Sequence, residues 1–158
     1  MPFVPFDEYF PEIGAREIRT LTVPPGNSLG LPAGEYGFLE LYCNDPGCDC
    51  RRVIFCVIAK NGMSVQAFIG WGWEDVEFYQ RWLHDGSLAE AIEAKGPALN
   101  IGSPHTPIGP ALVELVRGVL LTDPAYVERI KRHYAMVRAQ VDKPRKPSKR
   151  KPKPKKKR

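Results

Sequence analysis

The chain has 158 residues, 43% of them apolar, and a formal charge of +5, a length and composition that fit one compact domain with a core of its own. No apolar run approaches the ~20 residues that span a bilayer, and no basic stretch followed by an apolar one opens the chain, so the sequence predicts a soluble, unexported protein without a membrane span. Its four cysteines then point to a reducing compartment, cytoplasmic or, in a eukaryote, nuclear, where clustered thiols serve as metal ligands more often than as disulfides.

In chain order, a Pro-rich approach leads to a short strand near Ile18 to Val23, closed by Pro24-Pro25-Gly26-Asn27. A second strand fits Tyr36 to Cys43, and a third fits Arg52 to Ala59, whose Val53, Ile54, Phe55, Val57 and Ile58 make it apolar on both faces, as in a central strand. Asn61-Gly62 then marks a hairpin into a fourth strand, Ser64 to Trp71. The second half changes to helical punctuation. The acidic Glu74, Asp75 and Glu77 suit the start of a helix that Gly86 ends. Ser87 and Glu90 form a capping box for a short helix to Lys95, with Gly96 as its stop. After a Pro-rich loop over Gly96 to Gly109, Pro110 opens a helix over Ala111 to Leu121, and Asp123-Pro124 caps a last one running to about Gln140. These elements predict an α+β fold over residues 1–142, an antiparallel sheet of three to four strands packed by about four helices from the second half.

The densest chemistry lies in Cys43-Asn-Asp-Pro-Gly-Cys48-Asp-Cys50, a C-x4-C-x-C spacing wrapped around Asp45-Pro46-Gly47. Pro sets φ and Gly tolerates positive φ, so this tight turn brings the thiols toward one another. Soft sulfur ligands in such a knuckle suit Zn²⁺, which takes four Cys or His ligands in structural sites. A fourth ligand must come from elsewhere. Cys56 sits too far along the third strand and reads as a core thiol, roughly 20 Å from Cys50 at ~3.3 Å per residue. His133, on a helical stripe with Tyr126, Ile130 and Val137, is the expected fourth ligand, and His105 in the Ser103-Pro104-His105-Thr106-Pro107 loop is the alternative. Arg51 and Arg52 follow the knuckle and must point to opposite faces of a strand, so one of them can support the thiolates.

The net charge conceals an asymmetry. Lys143 to Arg158 holds 11 of the 23 basic residues, no acidic ones and four prolines, leaving residues 1–142 with a charge of −6. A segment without apolar residues cannot offset its ordering entropy, so a disordered tail is predicted over 143–158. Its Lys143, Arg145, Lys146, Lys149, Arg150, Lys151, Lys153, Lys155, Lys156, Lys157 and Arg158 would bind nucleic acid or another polyanion by releasing counterions, without sequence preference.

Trp71, Trp73, Phe78, Tyr79 and Trp82 form an aromatic cluster, but the acidic residues among them repel phosphate, so they read as packing or a protein-partner surface rather than base-stacking platforms. No Gly-rich phosphate loop, G-x-S-x-G elbow or H-E-x-x-H motif occurs. The expected function is a non-enzymatic zinc-binding module tethered to a polyanion. The alternatives are a thiol or metal-dependent enzyme using Cys43, Cys48 and Cys50, and a protein-interaction adaptor.

The segment Leu41-Tyr-Cys-Asn-Asp-Pro-Gly-Cys-Asp-Cys-Arg-Arg-Val53, taken with Asp123-Pro-Ala-Tyr-Val-Glu-Arg-Ile-Lys-Arg-His-Tyr134, resembles uncharacterised bacterial proteins that combine the two. The resemblance carries no known activity. It spans roughly Tyr36 to Tyr134 and implies that Cys43, Cys48, Cys50 and His133 belong to one design, with the basic tail outside it.

Overall fold

The computed structural model describes residues 2–144, and the architecture is α+β as the sequence predicts. Strands β1 (Phe3–Pro5), β2 (Arg19–Val23), β3 (Gly34–Cys43), β4 (Arg52–Ala59), β5 (Ser64–Gly72) and β6 (Ala98–Leu99) form one sheet. All pairs are antiparallel, β1 and β2 sharing β3 as a neighbour and β4 lying at the centre between β3 and β5. The sheet thus has six strands rather than three or four, because β1 and β6 are three and two residues long, too short to show an alternating pattern.

Two helices also precede the second half, α1 (Phe6–Tyr9) and α2 (Pro11–Glu17). The four expected ones follow: α3 (Val76–Trp82), α4 (Leu88–Lys95), α5 (Gly109–Leu115) continued by a π-helical turn (Val116–Leu120), and α6 (Pro124–Val141). Their caps match the sequence signals. Ser87 and Glu90 exchange both capping-box bonds, and Asp123 accepts from the Ala125 and Tyr126 N–H groups at the start of α6. In α3 the N-cap is Asp75, whose carboxylate accepts from Phe78 N–H at 2.7 Å.

Alternation along the strands sorts the side chains onto two faces. Tyr36, Phe38, Glu40 and Tyr42 of β3 share one face with Val53, Phe55 and Val57 of β4 and with Ala67, Ile69 and Trp71 of β5. Against this face α6 sets Tyr126, Ile130, His133, Tyr134 and Val137, and α5 adds Leu112, Val113 and Leu115. Phe38, Phe55 and Ile69 are fully buried there, each burial stabilising the fold by about 2 kcal/mol. At the end of the other face α3 and α4 pack together. Gly72 makes that junction possible, since a Cβ on it would collide with the phenol of Tyr79, and the Tyr79 hydroxyl donates to the Arg51 carbonyl at 2.7 Å. The buried aromatic of α3 is therefore Tyr79, flanked by a half-buried Phe78 and Trp82.

Candidate metal centre

The loop that joins β3 to β4 holds the three thiols. Cys43 ends β3, the Asp45 carbonyl accepts from Cys48 N–H at 3.2 Å, and Gly47 takes φ 75° at the turn. Arg51 re-enters β4 with φ 48°, a left-handed conformation that costs a non-glycine residue energy and recurs at functional loops. The sulfurs of Cys43, Cys48 and Cys50 all lie within 4.8 Å of one another, close enough to hold a metal ion. Cys43 and Cys50 are buried and Cys48 is half-buried.

One backbone group aims at the sulfurs. Asp45 N–H donates to Cys43 Sγ at 3.4 Å. Such a donor stabilises negative sulfur, the form in which a thiol ligates. Burial works in the opposite direction: it raises the Cys43 thiol above its ordinary value and, with the two neighbouring sulfurs, pushes Cys50 up to about 12. Without a cation these thiols stay protonated, whereas a bound metal ion would replace the protons.

The knuckle is fastened to the C-terminal half of α6 by a stripe at i, i+4 and i+8. The Tyr134 hydroxyl accepts from Arg51 N–H at 3.2 Å. The Arg138 guanidinium donates to the Asp45 carbonyl at 2.9 Å, to the Cys48 carbonyl at 2.8 Å and to the Cys43 carbonyl. The Asp142 carboxylate accepts from Gly47 N–H at 2.9 Å. Arg51 closes the outer side, paired with Asp49 at 2.9 Å and Glu74 at 3.3 Å and lying over the Phe78 ring at 4.8 Å.

His133 does not join the thiols. Its Nδ1 lies 2.8 Å from Glu40 Oε1, its Nε2 3.5 Å from Glu17 Oε1, and its ring stacks on Phe6 with centroids 3.9 Å apart. The helical stripe placed it facing inward, but about a quarter-turn around α6 from the stripe that reaches the knuckle. His105 is exposed and packs beside Gly109 in its loop, also outside the cluster. Among the described residues no fourth Cys, His, Asp or Glu completes the group. Cys56 is a buried thiol opposite Leu39 and Phe68, as its strand position implies. Of the two arginines, Arg51 stands at the knuckle and Arg52 sends its side chain away from it, to the Ala94 carbonyl at 2.7 Å. Lys143 is exposed and donates to Gln140, and the other basic positions, Arg145 to Arg158, lie outside the described residues.

Sequence reasoning missed Glu40, which is 7% exposed and accepts from the Tyr42 hydroxyl at 2.5 Å as well as meeting His133. A signal was present: Glu40 sits two residues from both Phe38 and Tyr42, on the apolar phase of its strand. Glu17, on the far side of the imidazole, is held down at about 2 by hydrogen bonds from Arg132 at 3.1 and 2.7 Å. A folded value below the unfolded one means that this carboxylate stabilises the fold fully above about pH 4.5 and loses that contribution as pH falls toward about 2. Glu17→Gln is expected to flatten this part of the acid-unfolding curve, read as urea midpoints at about pH 6 and about pH 3. An unchanged acid slope would show that another carboxylate carries the loss.

Among the described residues no helix is long and apolar enough to cross a membrane. A family model described as the N-terminal domain of galactosyltransferase matches residues 57–102, from the end of β4 to just past β6, less than a third of the chain and without the three thiols. No curated protein and no solved structure matches the chain.

Proposed function

We propose that the chain is a non-enzymatic zinc-binding module in which the metal rigidifies the β3–β4 knuckle, while the basic tail tethers the body to nucleic acid or another polyanion. The observation that carries the metal reading is the convergence of Cys43, Cys48 and Cys50 within 4.8 Å. An all-thiolate donor set favours Zn²⁺, Cu(I) or iron-sulfur clusters over hard cations, and the missing fourth cysteine disfavours a cluster. Three thiolates around Zn²⁺ leave one position for water or a partner's ligand. Their combined negative charge opposes ionisation of that water, and the Arg138 guanidinium near Cys43 offsets part of it.

The enzyme alternative has less support. Of the carboxylates at the knuckle, Asp49 and Glu74 are tied to Arg51 and Asp142 to the Gly47 N–H, so these three are engaged rather than free as a general base. Burial keeps Cys43 and Cys50 from being thiolate nucleophiles without a metal. The adaptor alternative is weakened by Tyr79 and Phe78, which are committed to the body's own packing. The galactosyltransferase match covers no residue of the knuckle and lends no activity to this reading.

Native mass spectrometry with elemental analysis on the tag-free full chain and on residues 1–142 tests the proposal. One zinc per chain is expected in both. Binding to an arbitrary DNA duplex should be present only in the full chain, and log K should fall linearly with log salt concentration. Four free thiols without metal would defeat the zinc reading, and DNA binding by residues 1–142 would move the polyanion site to the body.

A further inference from the structure

On the sheet face turned away from α6, a cavity of about 300 Å³ opens between α3, α4 and β6, at the small end of the ~300–1,000 Å³ typical of small-molecule pockets. Its floor includes Arg52, only 6% exposed. Among the described residues its one hydrogen bond runs from Nε to the Ala94 carbonyl, and no carboxylate pairs with it. The terminal nitrogens lie along the cavity floor beside Gly70, where an added Cβ would stand 2.7 Å from Nη2. A glycine at this point is what leaves room for the guanidinium. Six of the eight other described arginines pair with carboxylates, whereas this largely buried one has no carboxylate partner, an arrangement that an anion in the cavity would complete.

We infer that this cavity binds a small organic carboxylate, its oxygens held by the Arg52 guanidinium and its apolar body by the surrounding walls. A guanidinium presents parallel N–H donors that match a carboxylate two to two. Trp82, Leu83 and Leu99 line the apolar side, and Ile101 at the lip is 77% exposed, a large apolar side chain that a bound ligand would cover. Glu90 and Glu93 stand on the α4 wall. Glu90 is committed to the Ser87 N–H at 2.7 Å, and the negative charge of the pair favours a monoanion over a phosphate dianion. The three thiols do not line the cavity, but Cys50 acts on the Arg52 charge through space, so the titration is run at one fixed metal content.

Titration of the full chain with phenylacetate, followed by calorimetry and by the Trp82 indole and Arg52 Nε–H NMR signals, reads the site. Saturable binding that shifts both signals is expected, with no binding of the cation phenethylamine. Arg52→Gln should weaken binding about ten- to hundredfold, the loss from one charged hydrogen-bonded pair. Ala94→Leu, which keeps Arg52 and the Ala94 carbonyl but fills the space, should abolish it, and this variant decides the matter if Arg52→Gln does not fold. The inference is overturned by absence of saturation, by wild-type affinity in Ala94→Leu, or by tighter binding of phenyl phosphate than of phenylacetate.

Discussion

His133→Ala should leave the zinc content at its wild-type level while destabilising the body by about 3–5 kcal/mol, the usual effect of removing one partner of a buried pair. The imidazole is 1% exposed, and the Glu40 carboxylate that it meets is 7% exposed. Without the ring, Glu40 keeps the Tyr42 hydroxyl but loses its nitrogen partner at 2.8 Å. Phe6, stacked on the ring at 3.9 Å, is left facing a void, which adds a packing loss. Urea unfolding together with elemental analysis separates the two readouts. Zinc lost with stability retained would return His133 to the coordination sphere and refute the geometry described above.

Cys50→Ser should have the reverse signature in its metal readout: zinc falls from one per chain to near none, with a loss of at least ~3 kcal/mol, because metal-binding energy is spent on folding. Cys50 is the thiol most enclosed by protein, at 1% exposure, and a serine hydroxyl is a hard donor that cannot replace a thiolate as a soft ligand. A chelator should lower the melting temperature of the wild type and leave Cys50→Ser unmoved. Cys56→Ser, altering a thiol in the sheet away from the cluster, should keep its zinc. Equal chelator sensitivity in the wild type and Cys50→Ser would mean that the metal, if any, sits elsewhere.

Much of this architecture is legible in the sequence because its signals are local. β4 spans Arg52–Ala59, as its unbroken β-branched and aromatic run requires, and the caps at Ser87 and Asp123 are reported by single side chains within one turn. The helices over residues 6–17 were not readable. They are four and seven residues long and are interrupted by Pro11 and Gly14, so no periodic stripe could develop, and they are held by Phe6 packing on Tyr42 and His133, contacts far away in sequence. The same division runs through the site. The thiol cluster is encoded within eight residues and was found. Its fastening by Tyr134, Arg138 and Asp142 depends on how α6 crosses the sheet, and the choice between this stripe and the one bearing His133 is a matter of about a quarter-turn of helix, which periodicity alone does not orient.

The bonds from Arg138 to the knuckle join residues 90 to 95 positions apart, and this separation has a temporal meaning during synthesis. At ~5–20 residues per second, α6 emerges from a ribosome roughly 5–20 s after the knuckle. For that interval the sulfurs are complete but uncovered, exposed to whatever oxidant or cation the surroundings hold. Under the zinc reading proposed above, loading at that stage would protect them while the hairpin waits for its helix, and metal capture would precede closure.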